Sequence, residues 1–457
     1  MQFSRKLPTP TEPPIEWLLR PFQRFSKRQA SGGIVLFICA VVGLIWANTP
    51  WMESYEHLWE THLAIGFGDF LIDEPIHFWI NDFLMAVFFF MVGLEIKREL
   101  LVGELASPRR AALPAIAAIG GMVVPAAIYL AFTVGREGAG GWGIPMATDI
   151  AFALGVMALL GKRVPLSLKI FLAALAIVDD VGGVLVIAIV YTDELVWLNL
   201  GIAGGFVAAL ALANWVGVRN PLVFAALGAA VWFAILKSGI HASVAGVIIA
   251  TAIPSRVKVD SSEFLERGRV LMDEFERHDL PQPLPTTKQR DVIHGMETMT
   301  RDAESPLERL EHMLNPWVAF IIVPLFALSN VGISLGSGVG ESVTSPVFLG
   351  VVFGLIVGKL VGISLFTWLA VRSGIAALPA GVTWRHIFGV ALLGGIGFTV
   401  SLFVTGLAFE PGELVNDAKI GILIASVIGG ALGWFILSRQ SRSTLSETSE
   451  VEHASHA

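Results

Sequence analysis

Twelve runs of mostly apolar residues follow one another along this chain of 457 residues. A helix needs about 20 apolar residues to cross a bilayer. Hydrophobic residues make up 54% of the chain and charged residues only 15%, whereas soluble domains carry roughly 25% charged residues. We therefore predict an all-α polytopic membrane protein with about twelve transmembrane helices, and we exclude a soluble globular enzyme. The predicted spans are 31–48, 76–100, 111–134, 144–160, 166–191, 195–215, 220–236, 240–253, 315–333, 346–371, 384–408 and 415–438.

Lysine and arginine alternate between rich and poor connections along the chain. Six precede the first span and nine lie in the 254–314 connection, whereas the 49–75 and 334–345 connections contain none. Cytoplasmic connections are enriched in these residues, so we predict that both termini are cytoplasmic and that 49–75 lies outside. The formal net charge of -7 gives no indication of nucleic-acid binding. The single cysteine, Cys39, cannot build a disulfide or a cysteine-based metal site.

This pattern divides the chain into a cytoplasmic tail (1–30), a twelve-helix transporter domain (31–438) and a disordered cytoplasmic tail (439–457). The 254–314 connection is long and charged, and its apolar residues are spaced as in amphipathic helices. Ser305, Pro306 and Glu308 predict a helix start there, with a capping box and proline at the first position. The insert either regulates the protein or is a solvated appendage, and we favour the appendage.

Spans 3–5 and 10–12 run in opposite directions by the charge pattern, and the middle member of each triplet is interrupted by glycines. Residues 140–145 precede Thr148 and Asp149, and residues 394–397 precede Thr399. Interrupted backbone inside a membrane must line a cavity or a protein interior. We therefore predict an inverted-topology repeat with two interrupted helices that cross near the bilayer middle and form a transport site. The alternative is that the glycines only allow close helix packing.

Four ionisable residues lie inside predicted spans: Asp149, Asp179, Asp180 and Lys359. Each ionised group costs about 2.5–3.5 kcal/mol at the centre of a membrane helix on insertion scales. These groups must therefore face one another, water or an ion, and structural ion pairing is the alternative to a transport role. Carboxylates bind hard cations and protons alike, and two adjacent ones cannot both ionise freely in a low dielectric. A cation and protons would then compete for one site.

The roles of Asp149 and Lys359 stay open at this point. Asp149 could offset positive helix N-termini at the break, and Lys359 the negative C-terminal ends. Alternatively, Lys359 pairs with Asp179 and releases its proton when the cation arrives.

Six motifs resemble the NhaA family of sodium/proton antiporters, and the resemblance extends from about residue 30 to residue 438. The motifs are 85–100, 147–155, 176–180, 237–242, 316–319 and 393–399. The use of interrupted spans as transport sites is known partly from this family itself, so the two arguments are not independent. The resemblance implies export of Na⁺ or Li⁺ across the bacterial inner membrane in exchange for more than one H⁺. It also implies electrogenic transport that is activated at alkaline pH and needs no cofactor.

The resemblance also assigns residues. Asp149 and Asp180 match the cation-site aspartates, with Thr148 beside them, and Asp179 matches the carboxylate that works with Asp180. Lys359 matches the core lysine.

Further candidates match the family's pH-sensing region: Glu95, Arg98, Glu99 and Glu311. The alternative for Glu95 and its neighbours is an ordinary charged helix end. His241 is a further candidate because histidine titrates near neutral pH, although we favour a packing or hydrogen-bonding role. Asn315 occupies a position where relatives often have histidine.

The outer connection 49–75 contains two short apolar runs around glycines, which predict a β-hairpin. Family members dimerise through a hairpin at this place, so the resemblance implies a homodimer surrounded by membrane lipid.

We compare three other function classes with the antiporter. An intramembrane aspartyl protease is suggested by the string 66–69, Gly-Phe-Gly-Asp, but that string lies in an outer connection. A proton- or sodium-coupled symporter of an organic solute would need polar groups to recognise the solute, and the spans contain few. A channel would not need a proton-binding pair between interrupted helices. We therefore predict an antiporter and not an enzyme, with the symporter as the first alternative.

Overall fold

The computed structural model describes residues 31–67, 70–192, 195–218, 220–277, 286–333 and 339–439. The predicted N-terminal tail, residues 440–457 of the C-terminal tail and the Gly68-Asp69 pair lie outside these ranges. The helices are α1 (Ser31–Ala47), α2 (Met52–Glu60), α3 (Ile76–Leu101), α4 (Pro108–Thr133), α5 (Ile150–Leu159), α6 (Leu166–Val190), α7 (Trp197–Val216), α8 (Pro221–Leu236), α9 (Ser243–Ala252), α10 (Ser261–Arg277), α11 (Thr287–Ala303), α12 (Pro306–Asn330), α13 (Pro346–Arg372), α14 (Trp384–Leu393), α15 (Phe398–Ala408) and α16 (Glu413–Ser438). Shorter helical turns are Glu104–Ala106, Ala139–Met146, Gly161–Arg163 and Val339–Ser342, and the strands are β1 (His62–Phe67) and β2 (Phe70–Pro75).

The membrane-spanning character of the chain is evident from these helices. Among the described residues, eight helical segments are long and apolar enough to cross a membrane, and the number is up to ten if two bent helix pairs are counted as single spans. The bent pairs are α1–α2 and α14–α15, whereas α8 and α9 are shorter apolar helices. The prediction of an all-α membrane protein that spans the bilayer several times is therefore confirmed.

Two boundaries differ from the prediction by five residues or more, each for a local reason. The helical segment predicted to begin at residue 144 begins at Ala139, because its glycine-rich first part winds as a 3₁₀ helix up to Met146. Helix α12 begins at Pro306, ahead of the predicted 315, because Ser305 and Glu308 form the expected capping box there. Helix α12 therefore extends beyond its apolar part.

Close packing of α4 against α13 fixes the position of the buried lysine. A Cβ atom at Gly362 would lie 2.1 Å from the carbonyl oxygen of Gly120, and one at Gly358 would lie 2.7 Å from the Cα atom of Pro125. Residues without side chains allow two helix backbones to approach this closely. Lys359 follows Gly358 directly, and its exposed fraction is 0%. The glycines therefore hold a charged residue in the interior.

Three of the long helices contain a π-helical segment: Trp79–Leu84 in α3, Val318–Ile322 in α12 and Gly354–Gly358 in α13. Segments of this kind are rare and occur often at functional sites. The segment in α13 ends directly before Lys359, so the irregular winding lies next to the fully buried lysine.

Outside the apolar bundle, β1 and β2 pair as an antiparallel hairpin in which Ile65 faces Ile72. Helices α10 and α11 lie in the charged 254–314 connection. The base of this helix pair is closed by an ion pair between Lys258 Nζ and Asp302 Oδ2 at 2.7 Å.

The α4–α13 packing leads to a stability prediction for Gly362→Ala. The added methyl group meets the Gly120 carbonyl, and overpacking of this kind costs about 1–3 kcal/mol. The Tm of the purified protein in detergent should therefore fall. The matched control is Gly204→Ala in α7, where nothing lies within 4 Å of an added Cβ and alanine is the better helix former. Equal Tm values for the two variants would contradict the packing account.

Candidate cation site

Two interrupted helical segments meet in the interior of the bundle. In the first, the 3₁₀ helix ends at Met146, and α5 begins after extended backbone at Ala147 and Asp149. In the second, α14 ends at Leu393 and α15 begins at Phe398, with a bend of 47° between the two helices. The breaks are joined directly, because the Asp149 backbone N–H donates a hydrogen bond to the Ile396 carbonyl at 2.7 Å. The predicted interruptions therefore contact each other.

Asp149 caps two helices at once. Its Oδ1 accepts from the Phe152 backbone N–H at 2.9 Å, at the start of α5. Its Oδ2 accepts from the Thr399 backbone N–H at 3.2 Å and from the Thr399 hydroxyl at 2.6 Å, at the start of α15. A carboxylate is favourable at the positive N-terminal end of a helix, and here it serves two such ends. The geometry thus matches the first of the roles considered for Asp149.

Lys359 is held by three acceptors. Its Nζ forms an ion pair with Asp179 Oδ2 and donates to the Met146 carbonyl, and it lies 3.0 Å from the Thr148 hydroxyl oxygen. An ammonium group has three N–H donors, so all three are used. Both side chains of the ion pair are fully buried. The structure therefore contains features of both alternatives for Lys359: the ion pair with Asp179, and a bond to the carbonyl at the C-terminal end of the 3₁₀ helix Ala139–Met146.

Thr148 links the ion pair to the second interrupted segment. Its hydroxyl oxygen lies 2.7 Å from Asp179 Oδ2 and 2.8 Å from the Gly394 carbonyl oxygen. One hydroxyl proton can serve only one of these acceptors. In the part of the chain that the structure describes, Asp179 Oδ1 is buried without a hydrogen-bond partner. Asp179 therefore keeps one oxygen free for a cation or a proton.

Asp180 differs from its neighbours in having no partner. Its exposed fraction is 6%, and among the described residues no donor or cation is bonded to its carboxylate. The nearby charges are those of Asp179, Glu95, Asp149 and Lys359. A buried carboxylate without a donor is energetically unfavourable, and a bound cation or proton removes that cost. Asp180 is therefore a carboxylate without a protein donor in the described part of the chain, beside the Lys359–Asp179 ion pair.

Four of the five pH-sensing candidates lie together near the C-terminal end of α3. Arg98 Nε is 3.4 Å from Glu311 Oε2 of α12, and Arg98 Nη2 is 3.3 Å from Glu99 Oε1. Glu95 feels the charges of all three residues. We name these four residues, which lie where α3 meets α12, the inner cluster.

His241 lies elsewhere in the molecule. Its Nε2 is 3.5 Å from Asp82 Oδ1, its Nδ1 is 2.9 Å from the Ser243 hydroxyl, and its ring meets Phe403 edge-on. Asp82 precedes Glu95 by thirteen positions on α3, which is about 20 Å along a helix. His241 therefore lies far from the inner cluster, and its surroundings are the packing and hydrogen-bonding environment that we favoured.

Sequence reasoning missed several groups of this site. The Thr399 hydroxyl donates to Asp149 Oδ2, and the Ser401 hydroxyl donates to the Ile144 carbonyl at 2.7 Å. Both residues follow the second break directly, so their place after the glycines was a usable signal. The Met146 carbonyl is invisible to sequence reasoning because it is a backbone group.

The family's sequence profile decides what kind of protein this is. The profile described as Na⁺/H⁺ antiporter 1 matches residues 23–437. The chain belongs to this antiporter family. It is therefore a membrane transporter and not an enzyme, and the resemblance inferred from the six motifs is confirmed.

Individual relatives are similar in sequence to this chain over nearly its whole length. The Na⁺/H⁺ antiporter NhaA of Koribacter versatilis is 49% identical over 434 residues, covering 95% of this chain and 94% of the relative. That of Oleidesulfovibrio alaskensis is 48% identical and covers 94% and 96%, and NhaA 2 of Sorangium cellulosum is 43% identical and covers 96% and 95%. Among solved structures, the sodium proton antiporter MjNhaP1 from Methanocaldococcus jannaschii is 13% identical, with a TM-score of 0.47 over 93% of this chain and 99% of that chain.

The double cap at Asp149 leads to a prediction for Thr399→Val. Valine keeps the shape and the backbone N–H but removes the hydroxyl donor, and a hydrogen bond to a charged group is worth about 1.5–3 kcal/mol. We expect a lower Tm than for Thr399→Ser, which keeps the donor. Thr405→Val is the matched control, because the Thr405 hydroxyl is also buried but bonds only the Ser401 carbonyl within its own helix. If Thr399→Val were no less stable than that control, Asp149 would not depend on Thr399.

Proposed function

We propose that this antiporter exports Na⁺ or Li⁺ across the bacterial inner membrane and takes up more than one H⁺ for each cation. The observation that carries the proposal is Asp180, a buried carboxylate without a protein donor, beside the buried Lys359–Asp179 ion pair. Na⁺ and Li⁺ are hard cations, and carboxylate, hydroxyl and carbonyl oxygens suit them. The crossing of the interrupted segments offers all three kinds of oxygen.

Competition between cation and protons supplies the coupling. When the cation binds Asp180 and the free Oδ1 of Asp179, the proton on the Asp180 carboxyl group leaves to water. The cation also competes with Lys359 for Asp179, so that the ammonium group loses its ion pair and releases a second proton. Asp149 contributes negative charge at the crossing while its oxygens remain bonded to α5 and α15. The reverse steps release the cation on the outer side.

Unequal exchange moves net charge. If more protons enter than cations leave, positive charge enters the cell, and the membrane potential contributes about 2.3 kcal/mol per charge per 100 mV. The potential can then drive Na⁺ export even when the pH gradient is small. Such a transporter serves sodium export and pH homeostasis at alkaline pH.

The finer topology belongs to the same proposal. All twelve predicted apolar runs coincide with helical segments of the structure, which supports twelve crossings and two inverted triplets around the site. The alternation of lysine and arginine supports cytoplasmic termini, an outer hairpin connection 49–75 and a cytoplasmic 254–314 connection. In this arrangement 31–438 is the transporter domain between the tails 1–30 and 439–457.

The inner cluster of Glu95, Arg98, Glu99 and Glu311 is proposed as the pH-sensing element. It joins α3 to α12 through the Arg98–Glu311 contact, and protonation of its carboxyl groups would change the charge that binds these two helices. A change of this kind can bias a conformational equilibrium. His241 is a secondary candidate, because its partner Asp82 is also on α3.

A homodimer through the hairpin is proposed on the basis of its exposed surface. Leu63, Ile65 and Leu71 are 45%, 50% and 60% exposed, and a two-stranded sheet leaves both strand edges unpaired. Helix α7 is also poorly buried, because only 11% of its most apolar stretch is buried inside the protein. Membrane lipid or a second copy must therefore cover it.

A solute symporter is the alternative function, since a symporter would have apolar spans and ion-binding carboxylates similar to those of an antiporter. The discriminating observation is whether a Na⁺ or proton gradient drives uptake of an organic solute. An intramembrane protease would need its motif within a span, and the aspartate of that motif, Asp69, lies outside the described residues.

Reconstituted protein tests the role of Asp180. Liposomes with an acid interior and an internal pH dye receive Na⁺, Li⁺, K⁺ or choline outside. We expect Na⁺ or Li⁺ alone to collapse the pH gradient, more strongly at alkaline pH, and Asp180→Asn to abolish the effect because the variant cannot exchange a proton for a cation. Asp273→Asn, at an exposed position of α10, is the matched control. A fully active Asp180→Asn variant would refute the assignment of this residue.

The charge moved per cation tests the role of Lys359. If Lys359 carries one of the exchanged protons, Lys359→Ala should transport fewer protons per cation. The electrical current per transported Na⁺, measured on a solid-supported membrane alongside ²²Na⁺ flux, should fall. An unchanged ratio of current to flux in a folded, active variant would leave Lys359 with a structural role only.

A further inference from the structure

The backbone between α4 and α5 crosses the interior without α-helical hydrogen bonding. We name residues 138–149 the strap; it contains the 3₁₀ helix Ala139–Met146 and ends at the helix cap Asp149. Backbone polar groups inside a membrane must be satisfied by the protein itself. In the strap, side chains from three other helices and from Tyr191, which directly follows a fourth, provide part of this bonding.

The tethers follow the strap from its outer end to the cation site. The Tyr129 hydroxyl of α4 donates to the Gly138 carbonyl at 2.7 Å. The Ser401 hydroxyl of α15 donates to the Ile144 carbonyl at 2.7 Å, and Lys359 of α13 donates to the Met146 carbonyl. Between these points, among the described residues, the strap is hydrogen-bonded by a further side chain, that of Tyr191.

Tyr191 makes two bonds with one hydroxyl group. It donates to the Gly140 carbonyl at 2.9 Å and accepts from the Gly143 backbone N–H at 3.3 Å. The contact is close, because a Cβ at Gly143 would lie 2.7 Å from the hydroxyl oxygen. Both capacities of the tyrosine hydroxyl are therefore used on the strap.

The position of Tyr191 relates this contact to the ion site. It directly follows α6, the helix that carries Asp179 and Asp180. Asp179 precedes it by twelve positions, or about 18 Å of helix, and contacts Thr148 of the strap at 2.7 Å. Helix α6 and the strap are thus joined at two separate points, one at the outer end and one at the ion site.

We propose that Tyr191 is a positioning residue of the cation site, with Tyr129 in support. By fixing Gly140 and Gly143 to the end of α6, it holds the strap at the angle that places Thr148 against Asp179. Without the hydroxyl, Tyr129 is the remaining side chain among the described residues that hydrogen-bonds this end of the strap, and the oxygens at its inner end are less well placed for a cation. The inference rests on the proposed antiport function.

The chain supplies a matched control. It contains three tyrosines, and the hydroxyl of each bonds backbone groups. Tyr55 accepts from the Gly332 backbone N–H at 3.1 Å and lies 2.8 Å from the Leu328 carbonyl oxygen, so it holds the end of α12 instead of the strap. Tyr55→Phe therefore removes the same kind of bonds away from the site.

The experiment compares Tyr191→Phe, Gly143→Ala and Tyr55→Phe with the wild type. Each protein is reconstituted in liposomes, and the rate of Na⁺-dependent proton movement is measured against Na⁺ concentration at a fixed alkaline pH. We expect Tyr191→Phe to raise the half-saturating Na⁺ concentration about threefold or more, since one hydrogen bond corresponds to a factor of that order. The maximal rate should change less than about twofold, because the cation and proton carriers are untouched.

Gly143→Ala tests the same contact from the other side, since its methyl group displaces the hydroxyl. It should give the same rise in half-saturating Na⁺, and it decides the matter if Tyr191→Phe does not fold, as judged by its Tm. Tyr55→Phe should lower the Tm and leave the half-saturating concentration unchanged.

A wild-type half-saturating concentration in folded Tyr191→Phe, or in folded Gly143→Ala where only that variant folds, would overturn the inference. An equal rise in Tyr55→Phe would also overturn it, because it would show a general response to lost bonds. Failure of the antiport function itself would look different: the wild-type protein would show no Na⁺-dependent proton movement.

Discussion

The buried ion pair between Lys359 and Asp179 is the interaction on which the rest of the structure depends. Charged groups are expensive inside a membrane protein unless geometry and additional hydrogen bonds compensate them. Here the compensation comes from interrupted backbone, because the Met146 carbonyl accepts from Lys359 and the Thr148 hydroxyl contacts both charges. The interrupted backbone and the buried charges therefore stabilise each other. Each would be unfavourable alone.

The surrounding architecture keeps these groups in place. Glycines bring α4 and α13 into backbone contact beside Lys359, and the carboxylate of Asp149 neutralises the N-terminal ends of α5 and α15. Within the group of four buried ionisable residues at the site, Asp180 has no hydrogen-bond or ion-pair partner among the described residues, and Asp179 keeps one unbonded oxygen, Oδ1. This asymmetry between satisfied and unsatisfied carboxylate oxygens gives an ion or a proton a place at which binding lowers the energy. That asymmetry is what an exchanger of cations and protons requires.

Much of this arrangement could be predicted from sequence, for identifiable physical reasons. The apolar runs predict the spans because the bilayer demands length and hydrophobicity, and charges within spans stand out because they are costly. The glycine clusters predicted the breaks, and the structure joins them through Asp149 and Ile396. Family motifs assigned the aspartates and Lys359, although roles within the site do not follow from motifs alone.

What sequence could not predict are partners that are distant along the chain. Thr399 is separated from Asp149 by 250 positions, and Tyr191 contacts backbone groups that no residue type reveals. His241 had the chemistry of a pH switch, yet the fold places it with Asp82 and Phe403 instead of with Glu95 and Arg98. Such pairings depend on the packing of whole helices, and local propensity carries no information about them.

The central claim is that a cation displaces protons from the group formed by Asp179, Asp180 and Lys359. Calorimetry of Na⁺ binding to the purified protein, repeated in buffers of different ionisation enthalpy at one pH, counts the protons released per bound ion. The account predicts that the measured heat depends on the buffer, with a slope corresponding to more than one proton per Na⁺. A heat of binding that is the same in every buffer would mean that Na⁺ binds without displacing protons, and would contradict the account.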